Sequence, residues 1–146
     1  MRAKTIVIAA FLLAFSHVTS AQVTGHRTTD GCVSVAGASS VTAEGRLTLR
    51  RFAGPPNYEN IAAGDAEERT FILRLPRSAC IDDGGEFADP RERFATVHVS
   101  PSEEALLAVL SAAIGRHVIV SGQGFAAHTG HHHAPLVVLA DRITVR

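Results

Sequence analysis

Ten consecutive residues alternate without a break. Val41, Ala43, Gly45, Leu47 and Leu49 stand between Thr42, Glu44, Arg46, Thr48 and Arg50. Only an extended chain sends successive side chains to opposite faces, so this stretch is a strand with one face on a core. Two further segments carry shorter versions of the same pattern. Thr70–Leu75 aligns Phe71, Leu73 and Leu75, and Phe94–Val99 follows a turn-rich connection over residues 82–90. Arg116–Gly122, with Val118 and Val120 on one side, and Leu136–Val145 complete a set of five.

One helix is expected between the third and fourth of these strands. Ser100-Pro101-Ser102-Glu103 has the form of a capping box, with Ser100 as the N-cap, Pro101 at the first helical position and Glu103 closing it. Leu106, Leu107, Leu110 and Ile114 recur at helical spacing as its buried stripe, and Gly115 ends it. Three strands, a helix and two strands is the order of a five-stranded OB-like Greek-key barrel. A sandwich with one covering helix has the same order, because order does not give pairing. The barrel is favoured because the two least generic loops, 52–66 and 125–134, would then lie together beside the binding face.

Residues 1–21 read as a cleaved signal peptide. Arg2 and Lys4 precede ten apolar residues, Ile6–Phe15, and Thr19-Ser20-Ala21 supplies small residues before Gln22. Ten apolar residues are too few to cross ~30 Å of hydrocarbon. The expectation is a periplasmic or secreted protein with no membrane anchor after cleavage. Without that segment, 12 basic residues face 14 acidic ones, a net charge of −2. Such a balance disfavours nucleic acid as a partner, and the 46% hydrophobic content excludes an acidic disordered tail. Residues 22–40 read as an irregular N-terminal arm and 41–146 as the barrel domain. Cys32 and Cys80, an even pair in an oxidising compartment, are expected to form a disulfide. Closing a loop of about 49 residues would stabilise the fold by ~4 kcal/mol.

Two loops carry chemistry. In His128-Thr129-Gly130-His131-His132-His133, alternate residues of an extended chain share a side, so His131 and His133 face one way, with His128 returning across Gly130. Those three histidines are candidate ligands for a divalent transition metal such as zinc, completed by His98, His117 or a carboxylate. The blander alternative, imidazoles bonding backbone to fix the loop, is preferred. In the 52–66 loop, two prolines stiffen the chain, Asn57 can bond its own backbone, and Tyr58 is expected to be exposed. Phe52 and Phe125 read as barrel-end core residues. Asp82, Asp83 and Glu86 read as a soluble turn in preference to a calcium or acid–base site. No G-x-S-x-G, P-loop or HExxH motif occurs, so no catalytic residue is assigned.

The segments GPPNYEN (54–60), Ala79-Cys80-Ile81, Gly115-x-x-Val118-x-Val120-x-Gly122 and HTGHHHAPL (128–136) together resemble a family of small exported bacterial domains of unknown function. The resemblance spans roughly residues 41–145 and implies an OB-like barrel in a periplasmic or secreted protein. It brings no activity, ligand or catalytic residue. Its histidine motif carries a Thr where this chain has Ala134, so no shared role needs a hydroxyl there. The expectation is a non-enzymatic binding or accessory module, with Asn57, Tyr58, His128, His131 and His133 touching a partner. That partner would be an envelope protein or a glycan. The alternative is a metal-binding periplasmic protein using the His128–His133 loop.

Overall fold

The structure, a computed structural model, describes residues 22–37 and 39–146; the expected signal peptide lies outside them. The chain runs through β1 (Val23–Thr24), β2 (Val33–Ser34), β3 (Ser40–Ala53), β4 (Glu67–Ala79), β5 (Ile81–Asp82), β6 (Phe94–Pro101), α1 (Glu104–Ala112), β7 (His117–Ala126) and β8 (Leu136–Val145). It is mainly β with one helix. Among all eight described strands, the helix falls between the sixth and seventh, not between the third and fourth.

The alternation at 41–50 is one stretch of the 14-residue β3, which pairs with two long strands and, over two residues, with β1. Its first half pairs antiparallel with β7, from Ser40↔Gln123 to Arg46↔His117, and its second half with β4, from Arg46↔Arg74 to Ala53↔Glu67. β4 continues to β6, β6 pairs parallel with β8, and β8 pairs with β7, so five strands close a ring. Closure requires backbones to approach closely where the sheet curls. A Cβ on Gly45 would stand 2.3 Å from the Arg74 carbonyl oxygen, and one on Gly122 2.0 Å from that of Leu139. Pro76 is tolerated within β4 because the β4–β6 ladder is interrupted between Arg74 and Ala79. Leu47, Leu73, Val97, Val99, Val118, Val120, Leu136 and Val138 point into the ring and are buried.

Several expectations change. Residues 22–40 are not merely an irregular arm: β1 pairs with β3, β2 pairs parallel with β5, and Val23, Val33 and Val35 join the core. The capping box does not form. Ser100 and Pro101 stay in β6, held extended by pairing with Leu139 and Ala140 of β8, and the Ser102 N–H donates to the Ala140 carbonyl. The helix therefore starts later, with Glu103 as an N-cap that makes no side-chain bond. A sheet ladder overrode a local signal. Of the expected apolar stripe only Leu110 is buried; Leu106 is half-buried, and Leu107 and Ile114 face solvent. Ala113 is the other buried residue at this end, so the short helix meets the core along a narrow line. Gly115 does end the turn, with φ of 82° and its N–H on the Leu47 carbonyl. Cys32 and Cys80 form the expected disulfide. No helix among the described residues is long and apolar enough to cross a membrane.

Candidate functional site

β3 runs on to Ala53 and β7 to Ala126, so Phe52 and Phe125 are strand residues at the edges of shorter loops, not barrel-end core. Phe52 is paired with Glu68, the second residue of β4, and both lie on the face away from the core. On the same face, Ile72, His98, Val137 and Phe125 form a row across β4, β6, β8 and β7. Ile72 and Val137 are buried although they stand outside the ring's core cluster. The 127–135 loop provides cover there: the His133 N–H donates to Nδ1 of His98 at 3.3 Å.

The 54–66 loop is built around a carboxylate. Asp65 is buried and accepts from the N–H groups of Asn57, Glu59 and Asn60 and from the Asn57 side-chain amide, at 2.8–3.1 Å. Those bonds, first among them the one from Asn60, hold its carboxyl below the ordinary range. Asn57 thus bonds Asp65 and not its own backbone. The loop contains a cis Pro55–Pro56 bond and turns Tyr58 into a left-handed conformation with φ of 60°. Tyr58 is half-buried, its ring against Gly130, where a Cβ would come within 2.9 Å of the ring. Glycine at 130 is therefore what lets the two loops meet.

At their meeting point Glu68 holds the histidine loop with both oxygens. His131 Nδ1 is 2.5 Å from Oε1, and His133 Nε2 is 2.9 Å from Oε2. The Tyr58 hydroxyl lies 2.8 Å from His131 Nε2. Because a carboxylate only accepts, both imidazoles present N–H groups to Glu68. A neutral His131 then accepts the Tyr58 proton at its other nitrogen. His133 is stacked on Phe52, with centroids 4.0 Å apart and planes within 1°. Burial works to raise the Glu68 pKa, but the His133 and His131 hydrogen bonds outweigh it and hold the carboxyl below its usual range. His98 is moved the other way: burial, with His133 and His132 nearby, lowers it from 6.5 to about 4. Neutral His98 can accept from His133, whereas protonated at both nitrogens it cannot.

His131 and His133 do share a side, as expected. His128 does not join them. Its Nδ1 faces the Ala126 carbonyl at 2.9 Å, its N–H donates to His132 Nδ1, and its ring meets His132 and Phe125. His117 pairs with Glu44, away from the loop. Among the described residues no group of three or more His, Cys, Asp or Glu is placed to hold a metal. The nearest donor set is Glu68, His131 and His133, whose facing atoms are engaged with one another.

Beside this latch is a groove of about 510 Å³, within the range of small-molecule sites, walled by Phe52, Phe87, Phe94, His132 and His133 with Glu92 at one side. The turn that supplies Phe87 is fixed by Asp83, which accepts from the N–H groups of Gly85, Glu86, Phe87 and Ala88. Burial opposes the charge on Asp83, but those backbone donors keep its carboxyl below the ordinary range. This acidic stretch is a turn scaffold that leaves Phe87 57% exposed. Tyr58, His131 and Glu68 are not among the residues that line this groove; their hydrogen-bonded chain lies beside it.

Glu68, Phe87 and Asp65 were missed by reading the sequence. Glu68 looks like one more surface acid until β3 and β4 pair and set it beside Phe52.

The profile of a family described as "Domain of unknown function (DUF4431)" matches residues 96–144. This third of the chain contains His98, α1, the histidine loop and all but the last residue of β8. No curated protein and no solved structure matches the chain.

Proposed function

We propose that the chain is a non-enzymatic, exported binding module with an OB-like barrel, acting where the 54–66 and 127–135 loops meet. The barrel reading is supported by the closed order β3-β4-β6-β8-β7, a five-stranded Greek-key arrangement whose first–second and fourth–fifth connections flank a binding face. The observation that carries the functional reading is the Tyr58–His131–Glu68–His133 chain. It joins loops some seventy residues apart into one surface beside an aromatic groove. Three phenylalanine walls and two imidazole rings suit stacking against a sugar ring or an apolar side chain. The partner is an envelope protein or a glycan.

The test is photo-crosslinking in cells from position 87, at the groove, and from Ser111, on the exposed side of α1. A discrete adduct is expected from position 87 only, weakened by Phe52→Ala. Treating the adduct with protease or glycosidase identifies the partner class. Equal labelling from both positions would overturn the proposal.

A further inference from the structure

The far end of β4 holds a second groove, of about 390 Å³. Arg27, Arg77 and Arg93 line it together with one acid, Asp30, and the Ser78 hydroxyl. Glu68 and Arg77 are nine residues apart along β4, roughly 25–30 Å in an extended strand, so this groove is remote from the histidine loop. We infer that it binds the tetrahedral oxyanion of a small phosphorylated or sulfated molecule. The inference does not depend on the function proposed above.

Arg27 and Arg93 are held by backbone carbonyls and not by carboxylates, unlike Arg51 and Arg91. Arg51 and Arg91 face carboxylates at 2.7 and 3.0 Å. Arg27 instead donates to the Gly31 and Val23 carbonyls at 2.5 and 3.1 Å. Arg93 uses Nη1 alone, on the Pro90 carbonyl at 2.9 Å and more distantly on the Glu92 carbonyl and Cys32 Sγ. A carbonyl orients a guanidinium without cancelling its charge. Among the described residues no carboxylate is within 4.0 Å of Arg27 or Arg93 to form an ion pair. Each guanidinium carries five N–H donors, and among the described residues Arg93 Nη2 and Nε have no partner, a fork that matches phosphate or sulfate oxygens. With Asp30 counted against Arg27 and Arg93, these three groups leave an excess of one positive charge.

The frame is also rigid. The Cys32–Cys80 disulfide joins the 27–33 segment to the end of β4, and Arg93 comes from the segment entering β6. Two of the walls are therefore tied together before a ligand arrives, which lowers the ordering cost of binding. The volume exceeds what a bare ion needs and suits an anion attached to a small organic body.

The full chain would be titrated with inorganic phosphate, inorganic sulfate and glycerol 3-phosphate while backbone amide NMR shifts are followed. Vesicles with and without phosphatidic acid form a separate arm. Saturable shifts at Gly31, Ser78 and Cys80 are expected, with affinity falling as salt rises. Arg27→Ala with Arg93→Ala should weaken glycerol 3-phosphate binding about tenfold or more, and Arg91→Ala should leave it unchanged. Vesicle binding far stronger than soluble binding would identify the source as a lipid headgroup; equal strength would identify a free phosphomonoester. Protection of Arg27 and Arg93 from phenylglyoxal by phosphate tests the same site on unaltered protein, should the double variant not fold. No saturation by any anion, with no protection, would overturn the inference.

Discussion

Glu68 does more at the candidate site than any other single residue, because one carboxylate holds two imidazoles from a loop some sixty residues away. Its partner His131 is largely exposed, so solvent screens part of that interaction. Glu68→Gln is therefore expected to cost about 1 kcal/mol in urea unfolding and to release His131 and His133, seen as narrowed ring resonances. Unchanged histidine resonances would remove Glu68 from its role as latch. His98 gives a second prediction. Its folded pKa of about 4 lies below the ordinary 6.5, so between those values the unfolded chain takes up a proton that the folded chain refuses. The stability contributed is complete above 6.5 and is lost as pH falls toward 4. The lowered carboxyls of Glu68 and Asp83 act in the same direction but further down, below their ordinary values of 4.5 and 3.8. Histidine NMR should titrate His98 near 4, with the melting temperature falling across the same interval. A His98 midpoint near 6.5 would contradict its burial under the loop.

At the scale of the elements, the alternating strands were legible and their ends were not. Period-two patterning marks the middle of β3, but whether Phe52 belongs to the strand or the loop depends on Glu68 being opposite it. The helix shows the same limit. Ser100-Pro101-Ser102-Glu103 has a good local cap, worth around 1 kcal/mol, yet the β6–β8 ladder continues through those residues and keeps them extended. The buried stripe fails for a related reason, since a nine-residue helix presenting a narrow line to the core buries Leu110 and leaves Leu107 in solvent. Leu110→Ala should accordingly cost about 2–5 kcal/mol, and Leu107→Ala no more than ~0.5 kcal/mol; denaturant midpoints of the two variants compare them directly. Equal losses would mean that the helix packs on a broad face. At the curl of the ring, Gly122→Ala should destabilise by about 2 kcal/mol or more, because its Cβ would meet the Leu139 carbonyl oxygen.

For the whole molecule, closure of five strands into a ring sets the candidate sites at separate places on the fold. Residues 22–37, which read as irregular, contribute Val23, Val33 and Val35 to the core, and the disulfide fastens them at Cys80. Cys80→Ala is expected to cost about 2–5 kcal/mol, since a closed loop limits the unfolded chain. Thiol labelling of the denatured, unreduced protein should find neither cysteine free; labelling of either would refute the bond.

The sequence by itself determined the β-rich character, the five long strands, the one helix, the cysteine pair and the loops that carry the unusual residues. Those properties follow from periodicity, turn chemistry and residue type, which act over a few positions. Tertiary structure alone decided that Glu68 lies between His131 and His133, that Gly130 fits against Tyr58, and that Arg27 and Arg93 share a groove. Each of these depends on strand register and ring closure. Register is a property of pairs of strands, and no single segment contains the information for its partner.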